Sequence, residues 1–536
     1  MQRKDQIERM RTERFDLLVI GGGATGCGVA LDAASRGLKV ALVERQDFSE
    51  GTSSRSTKLV HGGVRYLEQA ILGFDMGQFN LVRDALHERA VLLRLAPHLA
   101  RAITLITPLY KLWEAPYYWT GLKMYDALSG KASVGPSSFL PKREALERMP
   151  TLRQKGLVGA VLYYDGQFDD ARMNVSIALT AIAQGAAVAN HVEITGLIKE
   201  RGKVGGAQVR DVREGQIFEV KARSLVNATG PYTDAVRKMD DPAVAPMVSA
   251  SSGVHIILDG SFIPRGTGML IPKTEDGRVA FALPWLGQVL AGTTDNPATV
   301  SDHPKATEEE IEYILRHLRR YFEGEITREK IKAVWCGLRP LVSDPKAGGT
   351  AKLSRDHVVV CSPSGLITIT GGKWTTYRKM AEDCVDQTLK LSSLQAMRKC
   401  QTNDLPLLGG AGYDSGNGAR LAQNFGLERD VADYLNQAYG DRSESVAKLS
   451  TQGYSGRLAP GYPYLEAEVL WAVREELAQT PMDVLARRIR LAFLDTSAAK
   501  TALPKVCELL SKEFAWDPAR RTLEEQQARE RLEQSL

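Results

Sequence analysis

Residues 15–26 read FDLLVIGGGATG, and this stretch decides the fold. The apolar run at residues 15–20 has the composition of a buried strand, and three glycines follow it in G-x-G-x-x-G register, Gly21, Gly23 and Gly26. A helical pattern continues through Arg36, and a second strand-like run, KVALVE, ends at Glu44. Strand, glycine turn, helix and strand in this order predict a βαβ unit that binds a dinucleotide.

The glycine turn and Glu44 each have a physical role in such a unit. Glycines permit a tight turn and a close approach of a pyrophosphate group, whose negative charge then lies at the N-terminus of the following helix. Glu44 lies where a carboxylate accepts hydrogen bonds from both hydroxyls of an adenosine ribose. Because NAD and FAD both carry that ribose, Glu44 does not choose between them.

Three later segments favour FAD. They are SSRSTKLVHGG, LVNATGP and ITITGGKWTTYRKMAED, at residues 53–63, 225–231 and 367–383. The second is an apolar strand that closes on a Thr-Gly turn, and the third ends in a helix whose N-terminus can face an electron-rich ring. Each alone is a common strand-loop-helix corner. Together they resemble the FAD-contacting segments of the glycine-oxidase-like branch of FAD-dependent oxidoreductases.

Length and composition indicate an ordinary globular protein of two or three domains: 536 residues, 43% hydrophobic and 25% charged. The net charge of +5 is small and comes from interspersed signs, so it gives no case for nucleic acid binding. The six cysteines form no CxxC pair and have no neighbouring histidine at metal-ligand spacing, which predicts a reducing compartment and no metal site. No apolar stretch reaches the roughly 18 residues that a membrane helix needs.

Longer motifs extend the resemblance along nearly the whole chain: GGGATGCGVALDAASRG, GTSSRSTKLVHGGVRYLE, YYDGQFDDARMN, SSGVHIILDG, CGLRPLVSDP and GGKWTTYRKMAED. On these residues the chain resembles the FAD-dependent glycerol-3-phosphate dehydrogenases, and more closely their mitochondrial type than the short bacterial type. Two features depart from the mitochondrial type: the N-terminus has no convincing transit sequence, and the C-terminus has no DxDxDG loop for calcium. A bacterial protein of mitochondrial-like lineage fits, and so does an organelle protein whose targeting segment was trimmed.

The resemblance implies a reaction, a cofactor and partners. Members of this family oxidise sn-glycerol 3-phosphate to dihydroxyacetone phosphate by hydride transfer from C2 to N5 of FAD, and they pass the electrons to membrane quinone. An oxidase that reduces O₂ to H₂O₂ is the alternative enzyme, and a flavin-binding redox sensor without turnover is the alternative of another class. The expected location is the cytoplasmic face of the bacterial inner membrane, or else the mitochondrial inner membrane, and a homodimer stays open.

The resemblance also implies site residues. His255 falls at the family's active-site histidine and is the expected base, although a histidine in an alternating apolar segment is by default a core residue. Arg339 matches the arginine beside the substrate hydroxyls, where a fixed cation favours a developing alkoxide. A phosphate dianion requires converging cations, and the substrate pocket is expected to hold Arg65, Tyr66, Arg355 and Lys373. FAD contacts are expected at Gly21, Gly23, Gly26, Glu44, Ser53, Ser54, Lys58, His61, Gly62, Gly230, Gly372, Lys373 and Thr375.

The expected fold class is α/β. An FAD-binding Rossmann-like domain of the glycine-oxidase-like kind is expected at residues 13–80, 150–230 and 340–390. A substrate domain built on a mixed or antiparallel sheet is expected at 81–149 and 231–339. Helical periodicity from residue 400 to 536 predicts a C-terminal helical cap domain.

The stretch LYKLWEAPYYWTGLKMYDAL, residues 109–128, indicates peripheral membrane contact. It sets aromatic side chains around Lys111 and Lys123, and amphipathic rings with long cationic chains suit a lipid headgroup layer. Pro116 is expected to interrupt a single helix here. An aromatic segment that packs between domains is therefore the alternative.

Overall fold

The computed structural model describes residues 2–63, 76–111, 113–264, 266–272, 274–342, 357–534 and 536. Three residues expected in the substrate pocket, Arg65, Tyr66 and Arg355, lie outside these ranges. Within the described ranges the chain forms two sheets, helices that cover them and a helical C-terminal region.

The strands in chain order are β1 Arg14–Ile20, β2 Val40–Val43, β3 Leu59–Val60, β4 Ala100–Leu109, β5 Ser138–Pro141, β6 Gly159–Phe168, β7 Ala187–Ala189, β8 Val192–Glu200, β9 Lys203–Asp211, β10 Ile217–Asn227, β11 Val248–Leu258, β12 Thr267–Ile271, β13 Ala280–Trp285, β14 Gln288–Gly292, β15 Asn296–Pro297, β16 Ile331–Val342, β17 His357–Cys361 and β18 Leu366–Gly371. The helices are α1 Arg3–Thr12, α2 Ala24–Ser35, α3 Met76–Leu95, α4 Glu114–Ser129, α5 Lys142–Arg148, α6 Asp170–Ala183, α7 Thr233–Asp240, α8 Glu308–Tyr321, α9 Tyr377–Ser392, α10 Asn417–Phe425, α11 Arg429–Tyr439, α12 Ser443–Leu449, α13 Glu466–Glu476, α14 Leu491–Leu494, α15 Thr496–Phe514 and α16 Pro518–Glu533. Shorter helical turns that matter below lie at Trp374–Thr376 and Asp483–Arg488.

Sheet A contains the βαβ unit that the sequence predicts. Its main strand order is β17-β18-β10-β1-β2-β7; the strands from β18 to β7 are parallel, and β17 is antiparallel at the edge. The antiparallel hairpin of β8 and β9 extends from β10. Both faces of β1 are covered, which explains its unbroken apolar run. Leu17 and Val19 join the core under α2 and α6, and Leu18 and Ile20 join the core under α1 and the hairpin.

Sheet B is mixed, as predicted for the second sheet. Its main order is β15-β11-β14-β13-β12-β4-β6-β3; β16 pairs with the other side of β11, and β5 pairs with β6. The described pairs are antiparallel except for β12 with β4. Along β11, Val254 and Ile256 pack toward α8, while Ile257 packs toward the C-terminal helices. This alternation directs His255 toward the C-terminal side of the sheet.

Two strands, β3 and β6, pair in a different sheet from the one that the sequence-based domain boundaries indicate. Those boundaries group β3 and β6 with the FAD-binding domain. In the structure β6 lies between β4 and β3 in sheet B, with a continuous register of ten residue pairs along β4. The paired strands are far apart in the chain, so no pattern of neighbouring residues predicts this pairing. The chain consequently crosses between the two sheets more often than the sequence indicates.

The region beyond residue 400 is mainly helical, as predicted, and packs against one face of sheet B. Trp335 of β16 lies in this interface, with its ring centroid 5.5 Å from that of Phe493 in α14. Among the helices that the structure describes, none is both long enough and apolar enough to cross a bilayer.

Candidate active site

A cavity of about 360 Å³ opens at the carboxyl ends of β1, β2, β10 and β18. The four turns that follow these strands line it, and they belong to the four segments that the sequence singled out. Ligands bind at this edge of parallel α/β sheets because the loops there converge and helix N-termini point toward them. Seven of the predicted residues line the cavity: Gly21, Gly23, Glu44, Ser53, Gly230, Gly372 and Lys373.

The glycine turn is shaped by close backbone contacts. Gly21 has a φ of +108°, and a Cβ there would lie 2.7 Å from the carbonyl oxygen of Ala228. A Cβ on Gly26 would lie 1.9 Å from the carbonyl oxygen of Gly21, so the first turn of α2 packs directly on the strand end. Behind the turn, the side-chain amide of Asn174 donates to the carbonyl of Gly22 at 2.8 Å. The cradle therefore depends on the absence of side chains at two positions.

Two side chains fix the rim of this cradle. The Ser53 hydroxyl accepts a hydrogen bond from the N–H of Ala24 at 2.9 Å, and the Ser53 carbonyl accepts one from Nε1 of Trp374 at 2.9 Å. Gly23, the residue before α2, contributes no capping side chain. A ligand anion can consequently approach the N-terminus of α2, where the helix dipole favours negative charge.

Glu44 is held in place by backbone donors. Its carboxylate accepts from the N–H of Gly22 at 2.6 Å and from that of Gln46 at 2.9 Å. Burial raises the pKa of Glu44, and these two hydrogen bonds act in the opposite direction. Glu44 lines the cavity, so its carboxylate can accept further hydrogen bonds there, and its role at the ribose hydroxyls stays a prediction.

Three further predicted contacts lie beside the cavity rather than in its lining. The N–H of His61 donates to the hydroxyl of Thr375 at 3.2 Å, and the N–H of Gly62 donates to the hydroxyl of Tyr125 at 2.8 Å. Burial and the charge of Lys373 lower the pKa of His61 to about 4. His61 is therefore neutral at pH 7, and the loop is anchored through its backbone.

Ser54 and Lys58, also expected at FAD, are not among the described residues that line the cavity. Lys58 is fully buried, and its ammonium donates to Asp170 at 2.6 Å and to the carbonyl of Ser54 at 2.7 Å. It also lies 4.5 Å from the ring centroid of Trp335. Burial lowers the pKa of Lys58 to about 7, although Asp170 opposes that shift. Through these contacts, Lys58 and the carbonyl of Ser54 stabilise the loop on its buried side.

His255 lies on β11, on the sheet face that meets this loop. It is 2% exposed, and Nε2 lies 3.0 Å from the hydroxyl of Thr57. Its ring stacks on that of Trp335, the residue opposite it on β16, with centroids 4.1 Å apart. Gly292, opposite it on β14, leaves room for the ring, because a Cβ there would lie 2.6 Å from Cδ2.

The environment of His255 favours the neutral imidazole. Burial is the main cause of a pKa well below the usual 6.5, and the cations Lys58 and Arg339 add to the effect. Within the described residues, Nδ1 is buried and has no hydrogen-bond partner. The ring is therefore available as a proton acceptor at neutral pH.

Arg339 lies on the same face of sheet B as His255. On β16, residues 335 and 339 face residues 255 and 251 of β11, and alternate residues share a face. The Arg339 guanidinium donates to the Asp295 carboxylate at 3.1 Å and to the Thr294 carbonyl at 3.0 Å. Its neighbours border the cavity: Pro340 lines it, and the carbonyl of Leu338 accepts from Thr52, which also lines it. The Arg339 cation is thus fixed on the sheet face that carries His255, one residue from Pro340 of the cavity lining.

Some residues at the site were not identified from the sequence. Thr57 pairs with His255, and Thr52 and Trp374 line the cavity. All three lie inside the motifs quoted above, so those motifs were the sequence feature that could have identified them. Nothing in the local pattern distinguishes Thr57 from the hydroxyl residues around it, because its partner is 198 positions away.

The fold and the cavity together define an FAD-dependent oxidoreductase. The family model described as FAD dependent oxidoreductase matches residues 16–378, and the model described as C-terminal domain of alpha-glycerophosphate oxidase matches residues 400–521. Mitochondrial glycerol-3-phosphate dehydrogenase of Mus musculus is 51% identical over 524 residues, which cover 95% of this chain and 72% of the mouse protein. The mitochondrial enzyme of Arabidopsis thaliana is 46% identical, with 98% of this chain and 87% of the plant protein covered. The chain belongs to the FAD-dependent glycerol-3-phosphate dehydrogenase family.

Solved structures agree with this assignment. The glycerol-3-phosphate dehydrogenase of Bacillus halodurans, solved in complex with FAD, has a TM-score of 0.80 and 30% identity, with 99% of this chain and 97% of that chain covered. A glycine oxidase of Geobacillus kaustophilus, 19% identical with a TM-score of 0.51, matches over 74% of this chain and 99% of its own, and it shows the fold alone. The predicted glycine-oxidase-like class is confirmed.

The residues of the cavity fit FAD. The side-chain-free cradle at α2 suits a pyrophosphate, Glu44 suits the ribose, and the turn at Trp374–Thr376 directs the N-terminus of α9 toward the cavity. These residues would hold the cofactor, which supplies a two-electron acceptor when it is bound.

Replacing Gly26 should abolish FAD retention. In Gly26→Ala the new methyl group would collide with the carbonyl of Gly21 and displace α2 from the cradle, so we expect purified protein with far less than stoichiometric flavin. The flavin-to-protein absorbance ratio measures this. The control is Gly196→Ala, where a Cβ meets nothing within 4 Å. Full flavin content in Gly26→Ala would contradict the assigned cradle.

Proposed function

We propose that this protein oxidises sn-glycerol 3-phosphate to dihydroxyacetone phosphate and passes the electrons to membrane quinone. The observation that carries the proposal is the pairing of a neutral, buried His255 with a fixed cation, Arg339, on one sheet face beside the FAD cavity. The names of the mouse and plant relatives support the substrate.

The geometry supports a division of roles between these two residues. His255 accepts the proton of the substrate's C2 hydroxyl, and its contact with Thr57 and its stacking on Trp335 fix the orientation of the ring. Arg339 stabilises negative charge on the same oxygen as the C–H bond breaks. Arg339 is preorganised for this role, because Asp295 and Thr294 hold the guanidinium before substrate arrives.

Recognition of the phosphate requires cations from separate segments. Lys373 lines the cavity at the end of β18 and supplies one. Arg65, Tyr66 and Arg355 stay predictions for this role. A carboxylate substrate of the amino-acid oxidase kind would need a single clamp, so the predicted convergence of Arg65 and Arg355 with Lys373 favours a phosphate ester.

Anaerobic mixing with substrate tests this proposal. We expect sn-glycerol 3-phosphate to bleach the flavin absorbance of the purified protein, and glycerol at equal concentration to leave it unchanged, because glycerol lacks the phosphate that the cations bind. If neither compound bleaches the flavin, the dehydrogenase proposal fails and a redox sensor without turnover takes its place.

The same reduced protein distinguishes a dehydrogenase from an oxidase. The oxidase is a second candidate because residues 400–521 match a model described from an alpha-glycerophosphate oxidase. Admitting oxygen should yield little H₂O₂, while a soluble quinone should reoxidise the flavin quickly. Stoichiometric H₂O₂ at a rate that matches turnover would favour the oxidase instead.

The pH dependence of flavin reduction tests the role of His255. The base must be neutral, and its pKa is below 6.5, so the rate at saturating substrate should stay constant from pH 8 to 6.5 and fall only below that. His255→Gln should lower the rate roughly 10²–10⁴-fold and remove this acid limb. At saturating substrate the rate no longer depends on substrate binding. Ionisation of the phosphate of free substrate therefore does not contribute to this acid limb. An unchanged limb in His255→Gln would rule out His255 as the base.

We further propose that α4 contacts the membrane as part of this function. Trp113 is 68% exposed and Trp119 is 44% exposed, and the ammonium groups of Lys111 and Lys123 lie 5.7 Å and 5.9 Å from their ring centroids. The prediction that Pro116 interrupts a helix is corrected: α4 begins at Glu114, so Pro116 lies in the first turn, where its missing N–H has no helical acceptor to lose. The proposed location is the inner membrane, bacterial or mitochondrial.

Vesicle flotation tests this surface. The double variant Trp113→Ser/Trp119→Ser should bind vesicles of anionic phospholipid at least about fivefold more weakly, because it loses the two rings that insert at the headgroup level. Leu523→Ser, which removes a 45% exposed apolar side chain on α16, is the matched control and should bind normally. Equal binding by the double variant would exclude α4 as the contact.

A further inference from the structure

The segment between β2 and β3 has two sides with different partners. One side lines the FAD cavity through Ser49, Glu50, Gly51, Thr52 and Ser53. The other side faces the C-terminal helical region, at the buried turn Asp483–Arg488 and the residues just after it. From this turn and the residues after it, Arg487, Arg488 and Arg490 reach the segment, which we call the cofactor loop, residues 47–58.

Arg487 contacts the part of the cofactor loop that lines the cavity. It is 4% exposed, and its guanidinium donates to Asp47 at 2.6 Å and to Asp483 at 2.9 Å. A third contact, with the carboxylate of Glu50 at 2.5 Å, reaches a residue that itself lines the cavity. One guanidinium therefore joins the start of the cofactor loop to its cavity-lining part.

Arg488 binds the start of the loop, and Arg490 binds it further along, at Ser54. Arg488 forms a two-pronged pair with Asp47, at 2.7 and 3.0 Å, and neither side chain is exposed. Arg490 donates to the carbonyl of Ser54 at 3.0 Å and to Asp170 at 3.1 Å. Lys58 donates to the same two acceptors, so two buried cations share one carboxylate and one carbonyl.

The acidic residues here are engaged by arginine rather than arranged for a metal ion. Asp47, His191 and Asp483 lie close enough to hold an ion, within 4.8 Å of one another. However, Arg487 and Arg488 take both oxygens of Asp47, and His191 lies 2.8 Å from Asp483. Removing one partner of such a buried network leaves an uncompensated charge, so the remaining groups must rearrange.

We propose that Arg487, Arg488 and Arg490 are positioning residues for FAD. The C-terminal region holds the cofactor loop from behind, and it thereby fixes the conformation in which Ser53 meets the N-terminus of α2 and Glu50 lines the cavity. Flavin affinity then depends on a region that does not itself line the cavity within the described part of the chain.

FAD titration of apoprotein tests this inference without any turnover. Arg487→Gln should raise the dissociation constant for FAD by about tenfold or more, because the loop loses its fixed conformation and binding must order it again. Arg487→Lys retains one charge but cannot reach all three carboxylates, so its affinity should be intermediate. These values do not depend on the substrate, so the inference can fail independently of the proposed function.

A matched control separates positioning from general stability. Glu524→Gln breaks a different contact between the C-terminal region and sheet A, the 2.6 Å pair with Arg213. Both variants should lower the melting temperature, but Glu524→Gln should bind FAD within about twofold of the parent protein. If Arg487→Gln also binds FAD normally, the arginine is only structural and the inference is overturned.

Two further measurements decide the matter if Arg487→Gln does not fold. Asp47→Asn weakens the same network from the loop side, and it should weaken FAD binding in the same way. Hydrogen exchange on the unmodified protein needs no variant: adding FAD to apoprotein should protect residues 483–490 together with 47–58. Protection confined to 47–58 would show that the C-terminal turn does not respond to the cofactor.

Discussion

The N-terminus of α2 is the constraint on which the rest of this structure depends. Its first N–H groups lack helical acceptors, and a ligand anion can satisfy them only where the backbone can be approached closely. Gly26 packs against Gly21, Asn174 holds Gly22 from behind, and Ser53 meets Ala24. Parallel strands then bring the ends of β2, β10 and β18 to the same edge, because parallel strands share their carboxyl ends. Four separate segments therefore surround one cavity.

Burial sets both the chemistry and the rigidity of the site. At His255 the desolvated setting and two cations favour the neutral ring, which is the form that a base requires. Lys58 and Arg490 both donate to Asp170, so a carboxylate takes the place of water beside these buried groups. A loop fastened in this way can present Thr57 to His255 in one orientation.

Local chemistry explains which site residues could be identified from the sequence. Gly21, Gly23 and Glu44 follow from the spacing of strand, turn and helix, and the structure places all three at the cavity. Lys58 shares its loop with Ser53, but it has a φ of +63° and its side chain enters the interior. Composition does not reveal that direction. The identity of His255 came from a family motif, whereas its contacts with Thr57 and Trp335 depend on strand register.

The amino-acid sequence by itself determined the βαβ unit, its binding of a dinucleotide and the helical character of the C-terminal region, because periodicity and turn chemistry act between chain neighbours. The choice of FAD came from the resemblance to a family. Only the tertiary structure decided that β3 and β6 join sheet B, that β16 brings Arg339 to the face of His255, and that Arg488 meets Asp47 from 441 positions away. These contacts depend on strand register and on how separate layers pack. Both are set when desolvated surfaces fit together across the whole molecule, and no local pattern contains them.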